Sequence, residues 1–351
     1  MRVAVETTPL TRAGGDRGIG RYVSAVLAAV ETNGWETVPI DLGPAEGGRL
    51  LEFTDLWRRR RRLRHWGRGV EVFHSTTPFV ASLSPPGRNV TTILDTIPFD
   101  LPNYTQTGLK SRLFYRLAAR GDRILTLSHF SAERIRDLFG VAERDIVVAP
   151  LPPSARFTPP DPTAAERLLA EHGIEQPFVA SLVDVRTPDP RKRAEWLPPL
   201  AEALRGRAEL PLVVVGGGTE SWDGRGGMRA LGRVSDELAA AVFGAAMVFI
   251  STSAYEGQGL PQLEAMACGT PVVAMANTAI PEIVQGGGVL VKEAVATPGE
   301  RSSGPERLAG ACVELAGDGP RRETLTAEAL RVAGTFTAER FAEGVRSAYV
   351  G

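Results

Sequence analysis

Six prolines fall within thirteen residues, Pro150-Leu-Pro-Pro-Ser-Ala-Arg-Phe-Thr-Pro-Pro-Asp-Pro162. Neither a helix interior nor a central strand tolerates that density, so the stretch reads as a stiff linker. It cuts a chain of 351 residues into two lengths that each suit one α/β core. On both sides short β-rich runs alternate with helical patterns. Before the linker, strands are predicted at Arg2–Glu6, Thr37–Asp41, Glu71–His74, Val90–Leu94, Arg123–Leu127 and Ile146–Ala149. After it they are predicted at Phe178–Val183, Leu212–Val215, Met247–Ser251, Val272–Met275 and Val289–Val291. Ile19, Tyr22, Val23, Val26, Leu27 and Val30 recur at the spacing of one helix face. Ser131 reads as the N-cap of a helix through Leu138 and Gly140 as its stop. Further helices are predicted to begin near Lys192, Asp236 and Pro261. The final stretch, Ala338–Tyr349, places Phe341, Val345 and Tyr349 on one face. This alternation builds parallel sheets with crossover helices. The predicted fold is therefore α/β, with two doubly wound Rossmann-like domains facing across a cleft at the carboxyl ends of their strands.

Composition narrows the class of protein. A hydrophobic share of 43% and a charged share of 23% are those of a globular chain and argue against disorder. No run of about 18 apolar residues occurs, and the start MRVAVETTPL lacks the layout of a signal peptide. Cys268 and Cys312 have no metal-ligand spacing, and Cys268 in LEAMAC reads as a buried thiol. A reducing, cytoplasmic setting is expected. Residues 1–150 hold 21 lysines and arginines against 16 acids, a net of +5, and the remainder a net of −6. Two surfaces with separate partners fit that asymmetry. The most basic run is Leu56-Trp-Arg-Arg-Arg-Arg-Arg-Leu-Arg-His-Trp66, with Leu56, Leu63 and Trp66 on one helical face. It suits a solvated helix, or peripheral contact with an anionic membrane through Arg58–Arg64. A single basic run in a near-neutral chain argues against nucleic acid.

Two carboxylates carry the first chemical signal. Glu256 follows the apolar run MVFIST in a loop with Gly257 and Gly259, ahead of a predicted helix start at Pro261, with Glu264 beyond it. A carboxylate accepts two hydrogen bonds at once, which matches the vicinal hydroxyls of a ribose or hexose. Glycines let backbone approach a ligand, and a helix N-terminus favours phosphate. Read alone, two such glutamates also suit solvated or capping positions.

The surrounding string decides between these readings. STSAYEGQGLPQLEAMACGTPVVAMANTAIPEIV resembles the donor-site segment of glycosyltransferase family 4, retaining enzymes of the GT-B fold, and Glu256 and Glu264 match both of its acids. The resemblance implies that Glu256 contacts the donor hexose and Glu264 the ribose, with Gly257, Gln258, Gly259 and Leu260 lining the donor. Gln258 stands where the family usually has Phe. Asp189-Pro-Arg-Lys-Arg193 is similar to the pair that grips the donor diphosphate, which assigns that role to Arg191 and Lys192. Preorganised cations stabilise charge on a departing phosphate. Lysine is also scarce here, with only Lys110, Lys192 and Lys292 beside 37 arginines. The loop Gly14-Gly-Asp-Arg-Gly-Ile-Gly20 resembles an element near the donor phosphates, which implicates Gly18 and Gly20. In TTILDTIPFDLP, Leu94 replaces the family's usual His. Asp95 remains, either to orient a sugar hydroxyl or acceptor or to serve as a turn residue before Pro98. His74 reads as a packed strand-end residue. Gly232-Arg-Val-Ser235 resembles the loop whose backbone reads the nucleobase, around Val234.

The resemblance implies an acceptor domain over residues 1–155, with 336–351 packing back on it, and a donor domain over 156–335. It implies a retaining, metal-independent transfer, without a cofactor, from a nucleotide-diphosphate sugar to a hydroxyl of a glycan, lipid-linked or small-molecule acceptor. GDP-mannose is the favoured donor. A non-catalytic sugar-nucleotide-binding or regulatory subunit and a phosphorylase of the same fold are the alternatives. A dinucleotide oxidoreductase fits less well, although Asp41 stands where a ribose-binding acid would. Gly15, Gly18 and Gly20 run in the reverse of G-x-G-x-x-G spacing.

Overall fold

The computed structural model describes residues 1–11, 18–41, 69–80, 87–101, 109–187, 189–292 and 304–351. The basic run Leu56–Trp66, with Arg58–Arg64, and residues 14–17 of the glycine loop lie outside them. The chain divides into two units. Unit 1 comprises Met1–Pro152 with Thr337–Gly351, and unit 2 comprises Pro153–Phe336.

Among the described residues, unit 1 contains a six-stranded sheet formed by β1 (Arg2–Glu6), β2 (Glu36–Ile40), β3 (Val72–Ser75), β4 (Arg88–Thr92), β5 (Arg123–Thr126) and β6 (Ile146–Val148). Its order is β2-β1-β3-β4-β5-β6, parallel throughout. The order reverses between β1 and β3, and crevices at the carboxyl ends of such strands are where doubly wound sheets bind ligands. The helix Ala338–Val350 belongs to this unit and packs on the helix Gly18–Thr32. Phe341 meets Tyr22 edge-on at 6.1 Å, and Arg88 donates to the Tyr349 carbonyl at 2.9 Å. Burying Phe341, 2% exposed, contributes about 1.5–3 kcal/mol.

Unit 2 repeats the plan with β7 (Val179–Leu182), β8 (Leu212–Val215), β9 (Arg229–Ala230), β10 (Val248–Ser251), β11 (Val272–Met275) and β12 (Gly288–Val291). The order is β12-β11-β10-β7-β8-β9, again parallel. Its reversal falls between β7 and β10. The strands LVVV, VFIS and VVAM are buried along their whole length, as sheets covered by helices on both faces require. Phe157, Phe243 and Phe249 pack together in its core on one face. Leu197, Leu200, Leu204 and Leu308 fill the other.

Local expectations need four corrections. Ser128, not Ser131, caps the helix His129–Phe139, with Ser128 Oγ accepting from Ser131 N at 3.1 Å. Ser128 is extended (φ −147°), as an N-cap must be. Gly140 does end that helix in the left-handed region, at φ 68°. No α-helix begins at Lys192: Pro190–Lys192 is a 3₁₀ turn, Arg193 turns left-handed at φ 46°, and the α-helix spans Leu197–Ala208. Pro261 occupies the second helical position, after Leu260. Arg229–Ala230 adds an edge strand too short for periodicity to reveal.

Candidate active site

The reversal in unit 2 brings the loops after β7 and β10 side by side. Lys192 lies on the first and Glu256 on the second, 64 residues apart in sequence. Backbone stitches hold the loops together. Ala254 N donates to the Arg191 carbonyl at 2.6 Å, and Thr252 Oγ1 donates to the Lys192 carbonyl at 2.7 Å. Within the first loop, Asp189 accepts from Arg191 N at 3.3 Å and from its Nε at 2.8 Å, which orients the guanidinium. Pro190, with its fixed φ, suits the first position of the turn.

The side chains converge on one carboxylate. Lys192 Nζ donates to Glu256 Oε1 at 2.5 Å, and Arg191 Nη1 stands 3.8 Å from Oε2. Glu256 is 8% exposed as a side chain, whereas Lys192 and Arg191 are each 22% exposed. Burial opposes ionisation of Glu256. The Lys192 and Arg191 charges, with hydrogen bonds from Lys192 and Ser253, outweigh it and hold the carboxyl below its usual range. The second loop is anchored by Glu256 N donating to Thr278 Oγ1 at 3.0 Å. Thr278 itself has φ 47°, a conformation uncommon for a β-branched residue and concentrated at functional sites. The result is a buried anion clasped by two partly exposed cations at the carboxyl end of a doubly wound sheet. Such cations suit a polyanionic ligand, which would compete with Glu256 for them.

The remaining predicted residues fall in two groups. In unit 2, Gly257 and buried Gln258 continue the Glu256 loop. Gly259 sits at φ 101°, a conformation that glycine adopts without strain, and caps the helix Leu260–Ala267. Glu264 is the fifth residue of that helix and is 3% exposed. Val234, partly buried, lies in the Gly232–Ser235 loop, which is tied to the end of β8 by Gly216 N donating to the Gly232 carbonyl at 2.8 Å. In unit 1, Gly18 and Gly20 form the first turn of their helix. Asp95 Oδ1 accepts from Ile97 N at 3.2 Å and so supports the turn into the helix Ile97–Asp100.

Sequence reasoning gave no role to Asp189, Thr252 or Thr278, and only the folded loops reveal their contacts. It also passed over Glu6, fully buried at the carboxyl end of β1. There Glu6 accepts from Thr8 N at 3.0 Å and from Thr76 Oγ1 at 2.5 Å. His74 is packed: its ring nitrogens meet Tyr349 Oη and Thr92 Oγ1, each at 2.7 Å, inside the core of unit 1.

Known proteins share this layout. Residues 178–318 match the family model "Glycosyl transferases group 1", and residues 24–152 match "Glycosyltransferase Family 4". The chain belongs to glycosyltransferase family 4. Among similar family members is the O-antigen chain mannosyltransferase B of Escherichia coli. It is 28% identical over 75% of this chain and 70% of its own length. The D-inositol 3-phosphate glycosyltransferase of Geodermatophilus obscurus is 34% identical over 67% of this chain and 53% of its own length. The chain thus spans little more than half of that relative. A solved structure of Anabaena HepE with UDP-glucose superposes with a TM-score of 0.72 at 17% identity, covering 99% of this chain and 98% of that one. The fold of this family 4 member is accordingly GT-B. Among the described residues no helix is long and apolar enough to cross a membrane.

Proposed function

We propose that this chain transfers a hexose, with retention of configuration, from a nucleotide-diphosphate sugar to a hydroxyl acceptor. The observation that carries the proposal is the Arg191–Lys192–Glu256 cluster at the β7/β10 reversal. Arg191 and Lys192 take the donor diphosphate and stabilise its charge as the bond to the sugar breaks. Glu256, released from Lys192, receives sugar hydroxyls. Glu264 binds the ribose, and the Gly232–Ser235 loop meets the base. Unit 2 is the donor unit. Unit 1, which carries Gly18, Gly20 and Asp95, is the acceptor unit. A phosphate oxygen of the leaving group accepts the acceptor's proton, so no dedicated base is assigned. Two cationic side chains supply the charge that a metal would otherwise bring, and activity in excess chelator checks that assignment.

GDP-mannose is the proposed donor, supported by the similarity to a mannosyltransferase. The UDP-glucose complex of a protein with this fold supports sugar-nucleotide use in general. Peripheral contact with an anionic membrane through Arg58–Arg64 is proposed for a lipid-linked acceptor. The deciding experiment incubates the protein with GDP-mannose, UDP-glucose and ADP-glucose. Nucleoside diphosphate release and the anomeric configuration of the product are then followed by NMR. Release from one donor with retention supports the proposal, and release from none contradicts it. Leu94, in place of the family's usual histidine, favours one second reading, a binding subunit without catalysis. Nucleotide binding without any release would mark it.

A further inference from the structure

Arg186 stands apart from the residues used so far. It follows β7 on the loop that also carries Arg191 and Lys192, and it grips Asp184 with one edge of its guanidinium. Nε lies 3.2 Å from both carboxylate oxygens, and Nη2 lies 2.6 Å from Oδ2. Asp184 Oδ1 also accepts Arg186 N at 3.0 Å, so the backbone and the fork are fixed by one acid. The side chain packs flat against the loop after β8. A Cβ on Gly217 would come within 2.2 Å of Arg186 Nε, and Gly218 faces the Arg186 backbone and Cγ. The glycine run leaves room for a guanidinium to lie there. Val185 N donating to the Gly217 carbonyl at 2.8 Å locks the two loops together.

This placement has a direction. Strands β10, β7, β8 and β9 lie in that order, with neighbours about 4.8 Å apart. The diphosphate cations face the β10/β7 end. The Gly232–Ser235 loop follows β9 and is tied to Gly216. Arg186, seated on Gly217, lies between these two loops. Its side chain is 41% exposed. The engaged edge is Nε and one hydrogen of Nη2. The other edge, Nη1 with the second hydrogen of Nη2, makes no hydrogen bond among the described residues and presents two parallel N–H donors. Guanine offers two adjacent acceptors, O6 and N7, to such a fork. Adenine pairs an acceptor with a donor there, and uracil has no such pair of acceptors.

We infer that Arg186, held by Asp184 against Gly217, reads the guanine edge of the donor nucleotide and sets the protein's preference for a guanosine diphosphate sugar. The inference rests on the donor-site reading above and deepens it by naming the residue that selects the base.

The test is calorimetric titration of wild type, Arg186→Ala, Arg186→Lys and Lys192→Gln with GDP, IDP, ADP and UDP. The inference expects wild type to prefer GDP and IDP, which share O6 and N7. Arg186→Ala should weaken these two by about 10- to 100-fold, the usual worth of a bidentate guanine contact, and leave ADP and UDP within about twofold. Arg186→Lys keeps a cation that can reach O6 and N7 but loses the planar fork that Asp184 orients, so it should retain a preference for GDP and IDP smaller than that of wild type. Lys192→Gln should weaken all four alike. Equal losses across all nucleotides in the Arg186 variants would make Arg186 a phosphate contact and overturn the inference, leaving the donor site intact. A wild-type preference for UDP or ADP would overturn it in the same way. If wild type binds none of the four, the donor-site reading itself has failed. Should Arg186→Ala lower the melting temperature, Arg186→Lys supplies the comparison.

Discussion

Replacing Glu256 with glutamine should tighten the binding of nucleoside diphosphate while abolishing transfer. The carboxylate holds Lys192 at 2.5 Å and faces Arg191 at 3.8 Å, so an incoming diphosphate must first displace it. A hydrogen bond to a charged group contributes about 1.5–3 kcal/mol, and a neutral one about 1 kcal/mol. Glu256 is only 8% exposed, which keeps solvent screening of the pair modest. In Glu256→Gln the amide retains an acceptor of the same size without the charge. The cost of freeing Lys192 then drops by about 0.5–2 kcal/mol, and relief of carboxylate–phosphate repulsion acts in the same direction. Affinity for the free nucleoside diphosphate should rise roughly 2- to 30-fold. Turnover should fall by at least about 100-fold, as for loss of one preorganised group in a reaction centre. Calorimetry with the preferred nucleoside diphosphate measures the first effect, and product release assays measure the second. Unchanged or weaker diphosphate binding would show that the ligand does not compete with Glu256 for Lys192, and the reasoning would fail.

Three further outcomes follow from packing, capping and the Gln258 departure. His74 is pushed down to about 3 by burial, so it is neutral in the fold and takes up a proton in the unfolded chain below about 6.5. Its contribution is fully present above that value and is lost as pH falls toward 3, at roughly 1.4 kcal/mol per pH unit. Chemical denaturation between pH 4 and 7 should show that slope, and His74→Gln should flatten it. Ser128→Ala removes the cap from Ser131 N and should cost about 1 kcal/mol, a fall of about 2–4 °C in the melting temperature of a unit this size. A change below about 0.5 °C would contradict the assigned cap. Gln258→Phe replaces a buried amide beside Gly257 and Gly259 and should shift the ratio of kcat/KM values between donor sugars, with nucleotide affinity unchanged.

Much of the fold was legible because parallel strands buried on both faces leave continuous apolar runs. Val272–Met275 and Leu212–Val215 could be bounded from sequence to the residue. The two-residue β9 carries no period, and the turn at Lys192 looks helical until Arg193 enters the left-handed region. Serines three apart both suit a cap, and only the extended backbone of Ser128 separates them. The donor-site residues stood out through their resemblance to a family, yet neither spacing nor composition could pair Lys192 with Glu256 across 64 residues. That pairing follows from strand order, which sets β7 beside β10. Asp184 and Arg186 carried no pattern at all, since their meaning comes from a glycine on the neighbouring strand's loop.

The central claim is that Arg191 and Lys192 bind the diphosphate of a nucleotide sugar. Thermal denaturation with GDP, UDP, ADP and TDP, for wild type and for Arg191→Gln/Lys192→Gln, tests it most directly. One nucleotide at about 100 times its dissociation constant should stabilise the wild-type protein by about 2.7 kcal/mol and leave the double variant's melting temperature unmoved. A wild-type protein that responds to none of the four, or a double variant that responds as wild type does, would contradict the account.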